Sequence, residues 1–195
     1  MSKRLFDIAA SAVGLLLLAP LLLLAAAWIK LDSPGPVLFR QTRVGRFGVP
    51  FTIHKFRTMR AEPGSAITVG ADPRITRAGQ WLRDTKLDEL PQLWDVLRGT
   101  MSLVGPRPEL PRYVELYPAD LRERVLSVRP GITDPASLAF RHEADLLAKA
   151  ADPEREYREV VLPAKLGISA DYAVRANLAT DLRLIVATLA RVLHR

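Results

Sequence analysis

The longest feature of the hydropathy pattern is a run without charge from Ile8 to Ile29, rich in leucine and alanine and ending beside Trp28. As a helix it would be roughly 33 Å long, enough to cross the hydrocarbon core of a bilayer. It is apolar all round rather than along one stripe, which argues against a core helix of a soluble domain. It is also long for a cleaved signal peptide and has no clear small-residue cleavage site. Pro20, preceded by Ala19, sits near the middle and removes a backbone hydrogen bond there. Two geometries are compatible with this. The helix either spans the membrane with a kink, or bends inside one leaflet and returns.

Downstream the periodicities shorten. Val37 to Gln41 and Phe51 to Phe56 read as two strands joined by a turn around Gly45 and Gly48. Ala61 to Ile75, with Pro63, Gly64, Gly70 and Pro73, reads as a loop. A helix from about Arg77 to Lys86 leads to Asp88 and Glu89. Pro91 is acceptable in a first helical turn, so the next helix runs Gln92 to Arg98 and stops at Gly99. Tyr113 to Tyr117 and Asp120 to Ser127 make short helical pieces, and VRPGITDPAS is irregular. Asp152, Pro153, Glu154 and Glu156 mark a strong helix start, and Pro163 should kink or interrupt that helix. The last helix begins near Thr180, with Leu182, Ile185, Val186, Leu189 and Leu193 on one face. That face either packs on the core or lies in a membrane interface. The fold class expected is α/β, predominantly helical with a small β-hairpin.

Composition narrows the picture. The 195 residues, 49% hydrophobic, suffice for one sizeable core, here expected over 33–195 behind a membrane segment at 1–32. The absence of cysteine rules out disulfides, thiolate zinc sites and cysteine nucleophiles. His54, His142 and His194 show no metal-ligand spacing. There is no P-loop, no dinucleotide fingerprint and no internal repeat. The net charge of +7 is uneven: residues 1–60 hold nine Lys or Arg against Asp7 and Asp32, and the remainder balances. Because the excess adjoins the apolar run, it points to a membrane surface rather than to nucleic acid. Lys3 and Arg4 precede the run; Lys30, Arg40, Arg43 and Arg46 come after it. Basic flanks prefer the cytoplasmic face, and the heavier flank is the C-terminal one. The globular part is therefore expected in the cytoplasm in either geometry, and a bent helix would leave both flanks there.

The candidate chemistry is concentrated in LDELPQLWDVLRGTMSLVGPRPE. Asp88 and Glu89 stand before a helix N-terminus, where unpaired N–H groups favour anions. Alone, such an acid is more often a cap. Arg83 lies five residues upstream, and Arg107 sits between Pro106 and Pro108, which stiffen its loop. A guanidinium presented in this way matches phosphate oxygens bidentately. Acid pair and stiff arginine together suggest a phosphoryl site. Lys55, Arg57 and Arg60 have no acid near them in sequence, which leaves them open between headgroup attraction and substrate contact.

With these pieces placed, the chain resembles the small monotopic phosphoglycosyl transferases, also called bacterial sugar transferases. The resemblance rests on KRLFDIAAS, SPGPVLFRQTRVG, KFRTM, TRAGQWLRDTKLDELPQLWDVLRGTMSLVGPRPE and RPGIT, in that order over nearly the whole length. It implies a monotopic membrane protein with a re-entrant N-terminal helix and a cytoplasmic catalytic domain on the bacterial inner membrane. It implies transfer of a sugar-1-phosphate from a UDP-sugar to a polyprenol phosphate, usually undecaprenol phosphate, with release of UMP. The family's acid dyad falls on Asp88 and Glu89, with Asp88 as nucleophile and Mg2+ contact; Glu89 is left between metal placement and proton handling. Arg107 and Arg83 would bind phosphate, with Lys55, Arg57 and Arg129 as further candidates. Departures are Ala19 before Pro20 where serine is common, Asp95 where asparagine is common and Asp134 where glycine is common. The rival reading is a non-enzymatic scaffold docked on anionic lipid, for which a paired acid and a stiff arginine have no use. Neither the sugar nor the oligomeric state is legible.

Overall fold

The computed structural model describes residues 2–60, 68–70 and 72–193. Positions 61–67 and 71 of the loop expected over Ala61 to Ile75 lie outside the described residues, as does His194. Chain order begins with α1 (Ser2–Asp32), then the hairpin of β1 (Leu38–Val44) and β2 (Pro50–Phe56). The next elements are α2 (Arg77–Asp84), a 3-10 turn at Leu87–Glu89, α3 (Gln92–Arg98) and β3 (Ser102–Val104). Two short helices, α4 (Pro111–Val114) and α5 (Ala119–Leu126), lead to β4 (Gly131–Thr133). The remainder is helical: α6 (Pro135–Ala139), α7 (Glu143–Leu147), α8 (Pro153–Glu156), α9 (Leu162–Arg175) and α10 (Leu178–Leu193). The fold is thus mostly helical with two small sheets, one more than expected.

The hairpin pairs Leu38 with Phe56 and Val44 with Pro50, so its strands reach beyond the expected turn boundary. The second sheet is parallel and consists of β3 and β4 alone, pairing Ser102 with Gly131 and Val104 with Thr133. A side chain on Gly105 would collide with the Arg129 carbonyl, and one on Gly131 with the Gly105 backbone. The two segments therefore touch main chain to main chain. Pro163 does interrupt its helix, but by winding rather than by breaking it. The chain passes from α8 through a π turn at Tyr157–Val161 into α9, with Pro163 in the first turn of α9. The wider turn removes the clash that proline makes with the preceding turn.

One stripe of α1 is buried, and the helix stays α-helical through Pro20. Asp7, Ser11, Ala25 and Ile29 fall on that stripe at helical spacing, and Gly14 lies against a Leu93 methyl. Ala25 and Ile29 join Phe56, Ala78 and Leu82 in one apolar cluster. The opposite faces carry Leu16, Leu17, Leu23 and Leu24, each about 70% exposed or more. Arg57 closes the helix by donating to the carbonyls of Ile29 (3.3 Å), Ser33 (2.8 Å) and Pro34. Asp32 then accepts from the backbone N–H of Ala78 (3.0 Å), and Trp28 packs on Trp81 with ring centres 5.5 Å apart. The main core lies elsewhere, where Tyr113, Val114 and Val125 meet Val161, Leu162 and Leu166.

Two expectations change. Lys3 and Arg4 are not free headgroup cations, because both are committed to bonds with the folded domain. On α10, Leu182, Val186 and Leu189 are exposed, so this face does not pack on the core of the chain.

Gly79 of α2 sits against the Thr58 backbone so closely that a methyl group would overlap the Thr58 carbonyl. Gly79→Ala should therefore lower stability by about 3 kcal/mol through overpacking, read as a lower thermal midpoint.

Candidate active site

The turn that carries the acid pair is set by Lys86, whose backbone is left-handed (φ 60°). That conformation is uncommon for a residue with a side chain. It reverses the chain out of α2, and the 3-10 turn Leu87–Glu89 then runs through Pro91 into α3. Gly99, at φ 85°, ends α3 as expected. Neither acid caps α3, however. The partner of the acid pair is not a helix N-terminus but a pair of side-chain cations.

Glu89 is held from two sides. Lys55, on β2, donates to its Oε1 at 2.7 Å. Arg107 donates to the same oxygen through Nη2 at 2.6 Å and to Oε2 through Nη1 at 3.3 Å. Burial alone would push the Glu89 carboxyl up, but Arg107 and Lys55 outweigh it and hold it well below the usual carboxylate range. Glu89 therefore stays ionised and is a poor store for a proton. Conversely the Glu89 charge raises the Arg107 guanidinium further above its ordinary value. Lys55 moves the other way, since burial and the nearby Arg107 lower it despite Glu89.

Asp88 has no hydrogen bond among the described residues. Burial and the adjacent Glu89 charge raise its carboxyl to about 6, while Lys55, Lys86 and Arg83 pull it back. One acid of the pair is thus neutralised by bonded cations, and the other waits with a raised proton affinity.

Arg83 does not bond to either acid; its Nε donates to Thr58 Oγ1 at 3.0 Å, and Asp88 acts on it only through space. Arg57 is buried at the end of α1. Arg129 donates to the Gly99 carbonyl at 2.8 Å, which caps α3. So Asp88, Glu89, Lys55 and Arg107 come together, Arg83 borders them, and Arg57 and Arg129 are engaged on backbone carbonyls elsewhere. A guanidinium fork satisfies carbonyls as well as phosphates, and sequence alone does not separate the two uses.

Three supports lie outside the expected set. Asp134 accepts from the Arg107 backbone N–H at 2.6 Å and also caps α6. Asp95, 1% exposed, accepts from the backbone N–H of His54 (2.9 Å) and bonds its Nδ1 (2.7 Å), tying β2 to α3 one residue before Lys55. Lys86 adds charge beside Asp88. Asp95 and Asp134 carried a signal, since both departed from the expected family pattern.

No group of three or more His, Cys, Asp or Glu side chains suited to a metal occurs among the described residues. Mg2+ does not require one: it keeps several waters and binds through one or two carboxylates plus substrate phosphates. Asp88 supplies a hard oxygen donor that no side chain neutralises by direct contact, and that donor chemistry fits the ion.

All 195 residues match the family model described as bacterial sugar transferase, and the chain belongs to that family. Among curated relatives, it is 52% identical over 136 residues to a UDP-glucose:undecaprenyl-phosphate glucose-1-phosphate transferase of Caulobacter vibrioides. That match covers 67% of this chain and 51% of the relative. It is 42% identical to an exopolysaccharide production protein of Rhizobium leguminosarum, covering 99% of this chain and 96% of the relative. A UDP-N-acetylgalactosamine-undecaprenyl-phosphate N-acetylgalactosaminephosphotransferase of Aeromonas hydrophila is 41% identical over 148 residues, 73% of this chain and 35% of that protein. The chain thus spans about half of the first, nearly all of the second and about a third of the last.

Asp88 has a folded-state carboxyl at about 6 against an ordinary value of 3.8. The folded state therefore holds this proton more tightly than the unfolded state. The resulting stability is present in acid and is lost as pH rises from about 4 to about 6. Asp88→Asn removes the buried charge, so it should raise the thermal midpoint at pH 7 and leave it nearly unchanged at pH 3.5.

Proposed function

We propose that this chain transfers a sugar-1-phosphate from a UDP-sugar to a membrane polyprenol phosphate, with undecaprenol phosphate as the expected acceptor, and releases UMP. The observation that carries this reading is the division of labour in the acid pair. Glu89 is locked between Lys55 and Arg107, while the Asp88 carboxylate beside it accepts no hydrogen bond from a described side chain. The sequence relatives named as UDP-sugar:undecaprenyl-phosphate transferases support the same reaction class. Their sugars differ, and the donor sugar of this chain is not assigned.

In the proposed mechanism an Asp88 oxygen attacks the β-phosphorus of the donor. The bond from that phosphorus to the oxygen bridging to the α-phosphate breaks, UMP leaves with the bridging oxygen, and the sugar-phosphoryl group rests on Asp88. A phosphate oxygen of the polyprenol phosphate then attacks the same phosphorus. The Asp88–phosphorus bond breaks, giving a polyprenyl diphosphate-sugar and the free carboxylate. A covalent intermediate of this kind replaces one difficult transfer by two easier ones. Arg107 holds donor phosphate oxygens and stabilises the charge that develops on them, with Lys55 behind it. Glu89 keeps both cations in place and takes no proton. Asp88 would hold Mg2+, whose charge would help to screen an anion attacking an anion.

The acceptor lies in a bilayer, and α1 supports a site at its surface. It is the one described helix long and apolar enough to span a membrane. Both of its ends bond to the same folded domain: Arg4 to the carbonyls of Val96 and Leu97, and Asp32 to Ala78. That supports a helix that enters and leaves on one side, with the catalytic domain on the cytoplasmic face of the bacterial inner membrane. In this reading the exposed α10 leucines rest on the same surface. The product is the lipid-linked sugar with which assembly of a polysaccharide begins.

Asp88→Asn should abolish UMP release from UDP-sugars presented with undecaprenol phosphate while the protein stays folded; full activity would refute Asp88 as the nucleophile. For wild type, kcat/KM should be flat above pH 7 and fall towards tenfold per pH unit below about 6, because only ionised Asp88 attacks. Single cysteines placed near residues 3 and 40 should both react only with a reagent on the cytoplasmic side. Labelling from opposite sides would mean a spanning helix.

A further inference from the structure

The motif KRLFDIAAS opens the chain, and the reaction described above uses none of its residues. In the structure its charged members are all bonded to the folded domain, Asp7 buried and Lys3 and Arg4 half-buried. Asp7 is 2% exposed; it accepts from Ser102 Oγ at 2.8 Å and from the backbone N–H of Leu103 at 3.2 Å. Lys3 donates to the Val104 carbonyl at 3.0 Å and pairs with Asp181, which is 1% exposed. Tyr172 of α9 completes the cluster, its single hydroxyl hydrogen shared between Asp181 at 2.6 Å and the Val104 carbonyl at 3.2 Å. Arg4 lies on α3, donating to the carbonyls of Val96 (2.6 Å) and Leu97 (2.9 Å). Carboxylates buried as Asp7 and Asp181 are costly unless they are fully bonded, so their partners are strongly specified.

The two segments that these residues grip, β3 and α3, each adjoin a part of the site: α3 follows the turn that carries Glu89, and β3 precedes the loop that carries Arg107. Among the described residues β3 has a strand neighbour on one edge only, and the side chains of Asp7, Lys3 and Tyr172 meet backbone groups that β4 does not reach. Arg107 comes three residues after Val104, across a glycine that abuts β4 and a proline that stiffens the loop. α3 begins three residues after Glu89. A shift of β3 relative to α3 is therefore carried to the Arg107–Glu89 pair, where a bonded distance of 2.6 Å leaves little slack.

We propose that the first two turns of α1 brace β3 against α3, so that Lys3, Arg4 and Asp7 are positioning residues for Arg107. Seating of the membrane helix and competence of the phosphate site are then one event. The proposal rests on the transferase reading, in which Arg107 holds the donor.

The test uses the full chain in membranes and a double-mutant cycle between Asp7 and Arg107, read as UMP release at varied donor and varied acceptor. Asp7→Ala should raise the donor KM about tenfold and leave the acceptor KM within about twofold. Asp7→Asn should recover most of the loss, because its oxygen can take the Leu103 N–H and its amide can face the Ser102 hydroxyl. In an Arg107→Ala background, Asp7→Ala should add less than about twofold, since the residue through which it acts is gone. If Asp7→Ala does not accumulate in membranes, Ser102→Ala takes its place in the same cycle, with an expected donor effect of about threefold. Full additivity with Arg107→Ala, or an equal rise in acceptor KM, overturns the proposal alone. A wild-type protein that releases no UMP from any UDP-sugar overturns the transferase reading and the proposal with it.

Discussion

Lys55 and Arg107 would repel each other strongly if Glu89 did not lie between them. Each lowers the cost of ionisation at Glu89, and Glu89 in turn makes their closeness tolerable. The three groups come from β2, from the turn before α3 and from the loop after β3, so a single carboxylate draws three distant parts of the chain to one point. The supporting bonds serve that convergence. Asp95 fixes β2 to α3, Asp134 fixes the backbone of Arg107, and Arg129 closes the far end of α3. The leftover acid then acquires its character by subtraction. Asp88 shares the burial and the negative neighbour without sharing the bonded cations, which is why its proton affinity rises while that of Glu89 falls.

The membrane helix is part of this arrangement rather than an appendage to it. Its inner stripe has polar and charged groups towards the N-terminus and small or apolar ones towards the C-terminus, matching β3 and α3 at one end and α2 at the other. Its outer faces have no partner among the described residues, and an apolar surface of that extent is not stable in water. The Trp28–Trp81 contact sits where the apolar face gives way to exposed Lys30 and Arg77, the level at which tryptophan favours a membrane interface.

How much of this could be read from the chain depended on how local the cause was. α3 was legible residue by residue, because Pro91 and Gly99 announce its ends. The hairpin was legible from alternation, and α10 from its apolar repeat, although not what that repeat faces. β3 and β4 were not, since three-residue strands have no periodicity and their pairing crosses more than twenty-five residues of intervening chain. At the site, the acid pair and Arg107 declared themselves by proximity and by proline. Lys55 was only one of several basic residues until the fold placed it against Glu89, and Arg57 looked equivalent to it while serving the end of α1. Asp7 carries a signal of its own: an acid in the opening turns of an otherwise apolar helix needs a partner, and the partner lies about a hundred residues away.

The pairing of Lys3 with Asp181 also orders events in time. Lys3 leaves the ribosome 178 residues ahead of its partner. At a synthesis rate of about 5–20 residues per second, the helix waits roughly 10–35 s before that bond can close. During the wait its leucines have only lipid or a chaperone to cover them. The first helix is thus locked in place only by one made about 178 residues after it.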